Sequence, residues 1–130
     1  MVKKSNINFN YFVGQKILEI NTEENLPLGI SFDNGGLIVE CPWRLRKIKT
    51  IIIGGSDCIS SPDNYSHKKV EALLMGKKVE SITFFEDFSM LVIEFEGNYS
   101  LDLFHDSNYF EGWQLNGDNG FDLISPPGGF

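Results

Sequence analysis

The chain lacks an apolar run long enough to cross a membrane. Its longest, centred on Ile51-Ile52-Ile53, is far shorter than the ~20 residues that a spanning helix requires. The first nine residues contain two lysines but no apolar core, so no export signal is predicted. With 42% apolar and 22% charged residues, the composition excludes disordered and fibrous classes. A length of 130 residues predicts a single domain, spanning 1–130, that can form its core without disulfide or metal.

Cysteine and histidine are scarce, with two residues of each. Cys41 and Cys58 form no C-x-x-C motif, so we predict free thiols and a reducing, cytoplasmic location. A thiol nucleophile at Cys58 would need a base, for which the chain offers only His67 and His105; a small buried or loop thiol is the alternative. No P-loop or serine-hydrolase motif occurs, so we predict no catalytic residue, cofactor, metal or enzymatic activity.

Positive charge is missing from the last part of the chain. Residues 79–130 contain ten acidic residues and no Lys or Arg, and the formal net charge of −7 lies wholly within residues 66–130. Nucleic acids and acidic lipid surfaces recruit Lys and Arg, so neither nucleic acid nor membrane is predicted as a partner. A basic protein is favoured, because opposite potentials speed encounter; solubility alone is the alternative.

Four basic residues form the only basic cluster, in the first half of the chain. On a strand, Arg44 and Arg46 share one side, and Lys47 and Lys49 take the other. We expect these residues either to protect an exposed edge strand or to pair with the acidic second half.

The most specific pattern is an internal duplication of approximately residues 13–53 and 75–116. The offset between the copies is 62 or 63, and the slips fall in two predicted turns, where an extra residue is harmless. The matched blocks are 14–20 with 76–82, 28–33 with 91–96, and Leu37, Val39 and Cys41 with Tyr99, Leu101 and Leu103.

Both copies predict a β-meander, because apolar residues recur at every second position. In the second copy, Leu91, Ile93 and Phe95 should face the core. The alternate residues Val92, Glu94 and Glu96 should face solvent.

The segments around the meanders predict three further strands and one helix. Residues 43–53 predict one strand, and 109–115 and 121–124 predict two more. A helix at approximately 64–75 should bury Val70, Leu73 and Leu74.

These elements predict a mainly β fold, α+β by count, with one connecting helix. Two duplicated antiparallel β-meanders pack as a sandwich or a half-open barrel, because each meander must cover the apolar face of the other. The core should include Phe32, Phe95, Leu101 and Trp113.

Two acidic patterns resemble catalytic or metal sites. Glu94 and Glu96 lie two apart on a strand, about 6–7 Å by strand rise, which could suit glycoside hydrolysis; a solvated strand face is the alternative. Residues 118–122 loosely resemble a calcium loop but lack its ligand alternation and final Glu, so a hairpin turn is preferred.

The C-terminal third carries a family resemblance. Phe110-Glu111-Gly112-Trp113 and Pro127-Gly128-Gly129 resemble the [YF]-E-x-W…P-G-G ending of a family of small uncharacterised bacterial proteins. That family is similar in character to immunity proteins of contact-dependent inhibition and polymorphic-toxin systems, which bind a cytoplasmic toxin domain and block its active site or substrate path. The resemblance implies no catalytic residue. We expect Trp113 to anchor the core and Glu111 to accept a hydrogen bond, with a partner contact as the alternative.

The resemblance and the charge together predict an immunity protein. Many such toxins are nucleases with basic clefts, so the predicted partner is a cognate toxin domain of that kind. The oligomeric state is left open, with a monomer favoured. The alternatives are a structural or adaptor module that binds another protein, and an unrecognised hydrolase. The predicted contact residues are Glu94, Glu96 and Asp102 on a strand face, with Asp87, Asp106 and Asp118 in loops at its edge.

Overall fold

In the computed structural model, which describes residues 5–130, the chain forms ten strands, two α-helices and one 3₁₀ turn. No helix among the described residues is long and apolar enough to cross a membrane. The elements are β1 (Ile17–Ile20), β2 (Leu28–Phe32), β3 (Gly35–Val39), β4 (Trp43–Lys47), β5 (Thr50–Gly54), α1 (Gly55–Ser60), α2 (His67–Leu74), β6 (Val79–Phe85), the 3₁₀ turn (Glu86–Phe88), β7 (Met90–Phe95), β8 (Tyr99–Phe104), β9 (Trp113–Gly117) and β10 (Asp122–Ile124).

The strands form two five-stranded antiparallel sheets. Sheet 1 has the order β1-β2-β3-β9-β10, and sheet 2 has the order β5-β4-β8-β7-β6. Apolar side chains from both sheets fill one core, which includes the predicted Phe32, Phe95, Leu101 and Trp113. The predicted mainly β, antiparallel sandwich is confirmed, and the sheets do not close into a barrel.

The two halves exchange hairpins. Each meander forms three strands of one sheet, and the hairpin that follows it joins the other sheet. The hairpin of β4 and β5 therefore extends the second meander, and the hairpin of β9 and β10 extends the first. Since each half completes the sheet of the other, neither half can bury its apolar face alone.

Backbone contacts between the halves repeat around a pseudo-twofold axis. Lys16 and Lys78 face each other in an antiparallel bridge. The Gly14 N–H donates to the Val79 carbonyl at 2.8 Å, and the equivalent Gly76 N–H donates to Ile17 at 3.0 Å. A register shift follows the first residue of both β1 and β6. The duplication inferred from sequence thus extends to the bulges and to these backbone hydrogen bonds.

The predicted alignment of the third strands is wrong by two positions. Ile30 faces Leu37 in the first meander, and the matching Ile93 faces Leu101 in the second. Leu37 therefore corresponds to Leu101, at an offset of 64, and not to Tyr99. Two residues two apart on a strand share a face, so apolar alternation cannot distinguish these registers.

The segment 43–53 is a hairpin and not the single strand predicted. The strands β4 and β5 meet at a tight turn in which Ile48 adopts φ 56°. A branched residue rarely adopts this left-handed backbone, so the composition gave no sign of a turn.

Two further boundaries differ from the prediction. The strand predicted at 109–115 begins only at Trp113, because the Tyr109 and Phe110 N–H groups donate to the Ser107 hydroxyl in a turn. The predicted helix begins at His67, where the Ser66 side chain accepts from the Lys68 N–H, and it is preceded by the unpredicted α1. That six-residue helix buries no side chain, so its sequence lacks the periodic spacing of apolar residues from which a helix is predicted.

The predicted inward residues are buried, with two corrections. Leu91, Ile93 and Phe95 lie in the core, and so do Val70 and Leu74 of the helix. In the helix Leu73 is only half-buried, and on the outer face of sheet 2 Val92 is buried although alternation predicted it to face solvent.

Candidate functional site

Asp102 is fully buried, which corrects its prediction as an outward contact residue. It lies on the outer face of sheet 2, where Arg44 faces it on β4. Its Oδ2 accepts from Nε of Arg44 at 2.7 Å and Nε of Arg46 at 2.6 Å, and its Oδ1 accepts from Nη2 of Arg46 at 3.0 Å. The hydrogen bonds that Arg46 donates to Asp102 raise the pKa of Arg46. Two guanidinium groups therefore neutralise this carboxylate. Pairing of the basic cluster with the acidic second half, one of the two expectations from sequence, is what Arg44 and Arg46 show.

The other five predicted contact residues are exposed but lie apart. Glu94 lies on the outer face of sheet 2. Glu96 lies in the turn after β7, where its Oε1 accepts from the Lys78 N–H at 2.7 Å. Asp87 and Asp106 lie near the opposite end of β7, and Asp118 lies in the turn between β9 and β10 of sheet 1. The six residues therefore do not form one continuous face.

The hairpin exchange changes where the negative charge lies. All four residues of the basic cluster belong to the hairpin of β4 and β5, and the exchange places them on sheet 2 beside the acidic second half. The strands and turns of sheet 1, residues 17–39 and 113–124, contain no Lys or Arg. Their acidic residues are Glu19, Glu23, Glu24, Asp33, Asp118 and Asp122.

A trough of about 580 Å³ lies across the outer face of sheet 1. Its floor includes Gly29 and Gly36, which have no side chain to fill it. Glu19, Glu23 and Asp118 carry negative charge into its lining, and no Lys or Arg is among the described residues that line it. The trough is thus an acidic depression on an otherwise uncovered sheet face.

A larger open groove of about 1060 Å³ adjoins the trough at the loop between β1 and β2, and the two share Glu23 and Leu26. The segment from α1 to the start of α2 forms the other wall, where Ile59 is 84% exposed. The charged residues that line this groove are Glu23, Glu24, Glu40 and Asp63, with His67 as the one histidine. Groove and trough together form an acidic surface with exposed apolar side chains.

The cysteines show no activation. Cys58 and His67 both line the groove, but the His67 Nδ1 lies 3.3 Å from the Asn21 carbonyl oxygen and its ring packs edge-on against Trp43. Burial, with Asp57 nearby, raises the pKa of Cys58. Burial raises the pKa of Cys41 to about 12. A raised pKa keeps a thiol protonated, which disfavours nucleophilic chemistry.

The C-terminal motif makes structural contacts. Trp113 is buried and contacts Phe84 and Phe130 edge-on or tilted, as expected of a core anchor. A Cβ at Gly112 would overlap the His105 ring, which bonds through Nδ1 to Ser125 and through Nε2 to the Phe110 carbonyl. The Glu111 side chain is exposed and accepts no hydrogen bond within the described part of the chain, contrary to our expectation.

The loop at 118–122 forms a turn. The Asn119 side chain accepts from the Phe121 N–H at 3.1 Å, and Gly120 adopts φ 96°. Asp122 accepts from Gln114 at 3.2 Å. Within residues 5–130, no three His, Cys, Asp or Glu side chains are grouped so that they could hold a metal ion.

Comparison of the chain with protein-family models, curated proteins and solved structures finds no match.

Proposed function

We propose that the chain is a non-enzymatic, cytoplasmic immunity protein that binds a basic toxin domain through the acidic surface of sheet 1. Binding would cover the active site or substrate cleft of that domain. The charge distribution carries the proposal: six acidic residues and no Lys or Arg lie in the strands and turns of sheet 1. A nuclease cleft shaped for phosphate is positively charged, so such a surface attracts it and speeds association.

The proposed contact surface lies on sheet 1, whereas most of the contact residues predicted from sequence belong to sheet 2 and its loops. On sheet 2, Asp102 is neutralised by Arg44 and Arg46, and the carboxylate of Glu96 bonds to the backbone. On sheet 1, the carboxylates of Glu19 and Asp118 line the trough and bond to no described group. These free carboxylates can be paired by Lys or Arg of a partner.

The test uses the C-terminal domain of whatever protein is encoded directly upstream of this gene, which we propose as the cognate toxin domain. Co-expression with the chain should restore growth of cells that produce the domain, and the purified pair should form a complex. In the sheet 1 triple variant, Glu19→Lys, Glu23→Lys and Asp118→Lys, the Kd should rise about 100-fold or more and protection should be lost.

The matched control reverses three negative charges at contact residues that were predicted from sequence on the face of sheet 2 and in its loops. The sheet 2 triple variant, Asp87→Lys, Glu94→Lys and Asp106→Lys, changes the net charge by the same amount and should retain protection. Loss of protection in the sheet 2 variant alone would show that the contact surface is the one predicted from sequence, on sheet 2 and its loops. Binding without a toxic partner domain would instead support an adaptor role.

A further inference from the structure

The outer faces of the two sheets differ at equivalent positions. In sheet 2 the outward positions of the two central meander strands hold Val92, Glu94, Ser100 and Asp102, and the two arginines of β4 cover Asp102. The offsets of 63 and 64 identify the sheet 1 equivalents as Gly29, Ser31, Gly36 and Ile38. One sheet face is therefore filled by its own side chains, whereas the other has been left open.

The fold does not require two of the three glycines that line the trough, Gly29 and Gly36. Neither Gly29 nor Gly36 has a positive φ. A Cβ at Gly29 would lie 3.5 Å from the Asn21 Cβ, and one at Gly36 would lie 3.4 Å from its nearest neighbours, which are acceptable contacts. By contrast, a Cβ on the neighbouring Gly35 would overlap the Asn116 carbonyl oxygen. Glycine within a strand lowers its stability and often marks a place where another backbone approaches closely.

We propose that the outer face of sheet 1 receives a Lys- or Arg-bearing segment of the partner, whose backbone lies against Gly29 and Gly36. The inference rests on the proposed function for the identity of the partner. Cationic side chains of the segment pair with Glu19 and Asp118, which line the trough together with Gly29 and Gly36. The 43% exposed Ile38 provides the apolar contact that such a segment covers on binding.

Charge and side-chain type select this occupant. No aromatic residue is among the described residues that line the trough, so it offers no stacking platform for a sugar or a base. Its carboxylates repel phosphate, which excludes a nucleic-acid strand. A second copy of the chain would present a net charge of −7 to the same acidic face. A basic protein segment complements the negative charge of the trough and needs no aromatic side chain to bind there.

The first experiment titrates the isotope-labelled chain with a synthetic peptide of alternating Arg and Val, followed by NMR. Saturable shifts are expected at the amides of Gly29, Ser31 and Gly36, and none at Ser81 or Ser100 of sheet 2. A peptide of alternating Glu and Val should cause no shift. No saturable shift, or shifts confined to sheet 2, would overturn the proposal.

The second experiment fills the trough with the residues that sheet 2 already carries. Gly29→Val combined with Gly36→Ser should keep or raise the urea midpoint of unfolding, and should weaken the Arg-Val peptide and the upstream-encoded domain at least about tenfold. Gly29→Ala combined with Gly36→Ala should give a smaller loss in the same direction. Ser81→Val combined with Thr83→Val, on the outer face of sheet 2, is the matched control and should bind normally.

The two proposals fail in distinguishable ways. The filled variant is Gly29→Val combined with Gly36→Ser. If it binds as the wild-type chain does while the sheet 1 triple variant does not, the acidic surface is the contact surface, and the proposal that a segment docks in the trough is wrong. If the peptide occupies the trough but the chain neutralises no toxin domain, the docking trough stands and the immunity function is wrong. If the filled variant dissociates a dimer in sedimentation experiments, the occupant is a second copy and the proposal is overturned.

Discussion

Lys16 and Lys78 hold the same place in the two halves and pair with each other across the pseudo-twofold axis. In each half, a carboxylate accepts a hydrogen bond from the backbone N–H of this lysine. The Lys16 N–H donates to Oδ2 of Asp33 and the Lys78 N–H donates to Oε1 of Glu96, both at 2.7 Å. The axis therefore relates hydrogen bonds as well as strands.

Removing either of these carboxylates should destabilise the chain by a similar amount. Asp33→Ala and Glu96→Ala should each lower the free energy of unfolding by about 0.5–1.5 kcal/mol, because each leaves one backbone N–H without its acceptor. Urea denaturation measures both. A loss in one variant and none in the other would contradict equivalent roles. Glu96→Ala should leave partner affinity unchanged.

Asp102 should contribute more to stability than any exposed carboxylate. Asp102→Ala removes a buried acceptor shared by Arg44 and Arg46, so the free energy of unfolding should fall by about 2–4 kcal/mol. The control is Glu94→Ala on the same sheet face, which should change it by less than about 0.5 kcal/mol. Equal effects in urea denaturation would show that the arginines do not depend on this carboxylate.

The core alternation of the second meander can be tested at Phe95. This fully buried residue faces sheet 1, and Phe95→Ala should lower the free energy of unfolding by roughly 3–5 kcal/mol through lost burial and a cavity. Ile51→Ala on the edge strand β5, where the side chain is 57% exposed, should cost much less. A loss below about 1 kcal/mol at Phe95 would contradict the assigned strand face.

The two thiols should differ in reactivity. At pH 8, iodoacetamide should modify the half-buried Cys58 slowly, and Cys41 only after unfolding, because Cys41 is buried and its pKa is raised to about 12. Mass spectrometry of native and urea-treated protein identifies the modified residue, with Cys58→Ser as the control. Modification of native Cys41 at the faster rate would contradict its burial.

The raised pKa of Cys41 also predicts the direction of alkaline destabilisation. The folded-state pKa of about 12 lies above the ordinary thiol pKa of 9.0, so the unfolded chain loses the thiol proton first. This contribution to stability is complete below pH 9 and is lost as the pH rises towards 12. Between pH 8 and 10 the wild-type chain should lose on the order of 1 kcal/mol more than Cys41→Ala. Parallel pH profiles in urea denaturation would contradict it.

The local parts of the fold could be predicted from sequence, and the non-local pairings could not. Alternation of Leu91, Ile93 and Phe95 identified the core face because burial acts directly on each side chain. The pairing of β3 with β9 joins residues far apart in the chain, and no local pattern specifies it. Sequence patterns alone therefore do not predict the hairpin exchange.

That missed pairing explains the errors about the site. Alternation placed Asp102 on the outer face of its strand correctly, but its burial depends on β4 pairing with β8, which brings Arg44 alongside. The charge of a segment in the sequence does not show which sheet the segment joins, and the basic hairpin of β4 and β5 belongs to sheet 2. Gly29 and Gly36 can be read in the sequence, but it does not show that they leave a sheet face open. That follows only from the structure, in which the equivalent positions of sheet 2 hold Val92 and Ser100.

Carboxylate footprinting of the complex with the upstream-encoded domain identifies the contact surface directly. Amidation by carbodiimide and an amine nucleophile, quantified by mass spectrometry, reports each exposed Asp and Glu in the free and bound chain. We predict strong protection of Glu19, Glu23 and Asp118 on binding, with Asp87, Glu94 and Asp106 labelled as in the free chain. Protection of the latter three carboxylates, with those of sheet 1 still labelled, would contradict a contact surface on sheet 1.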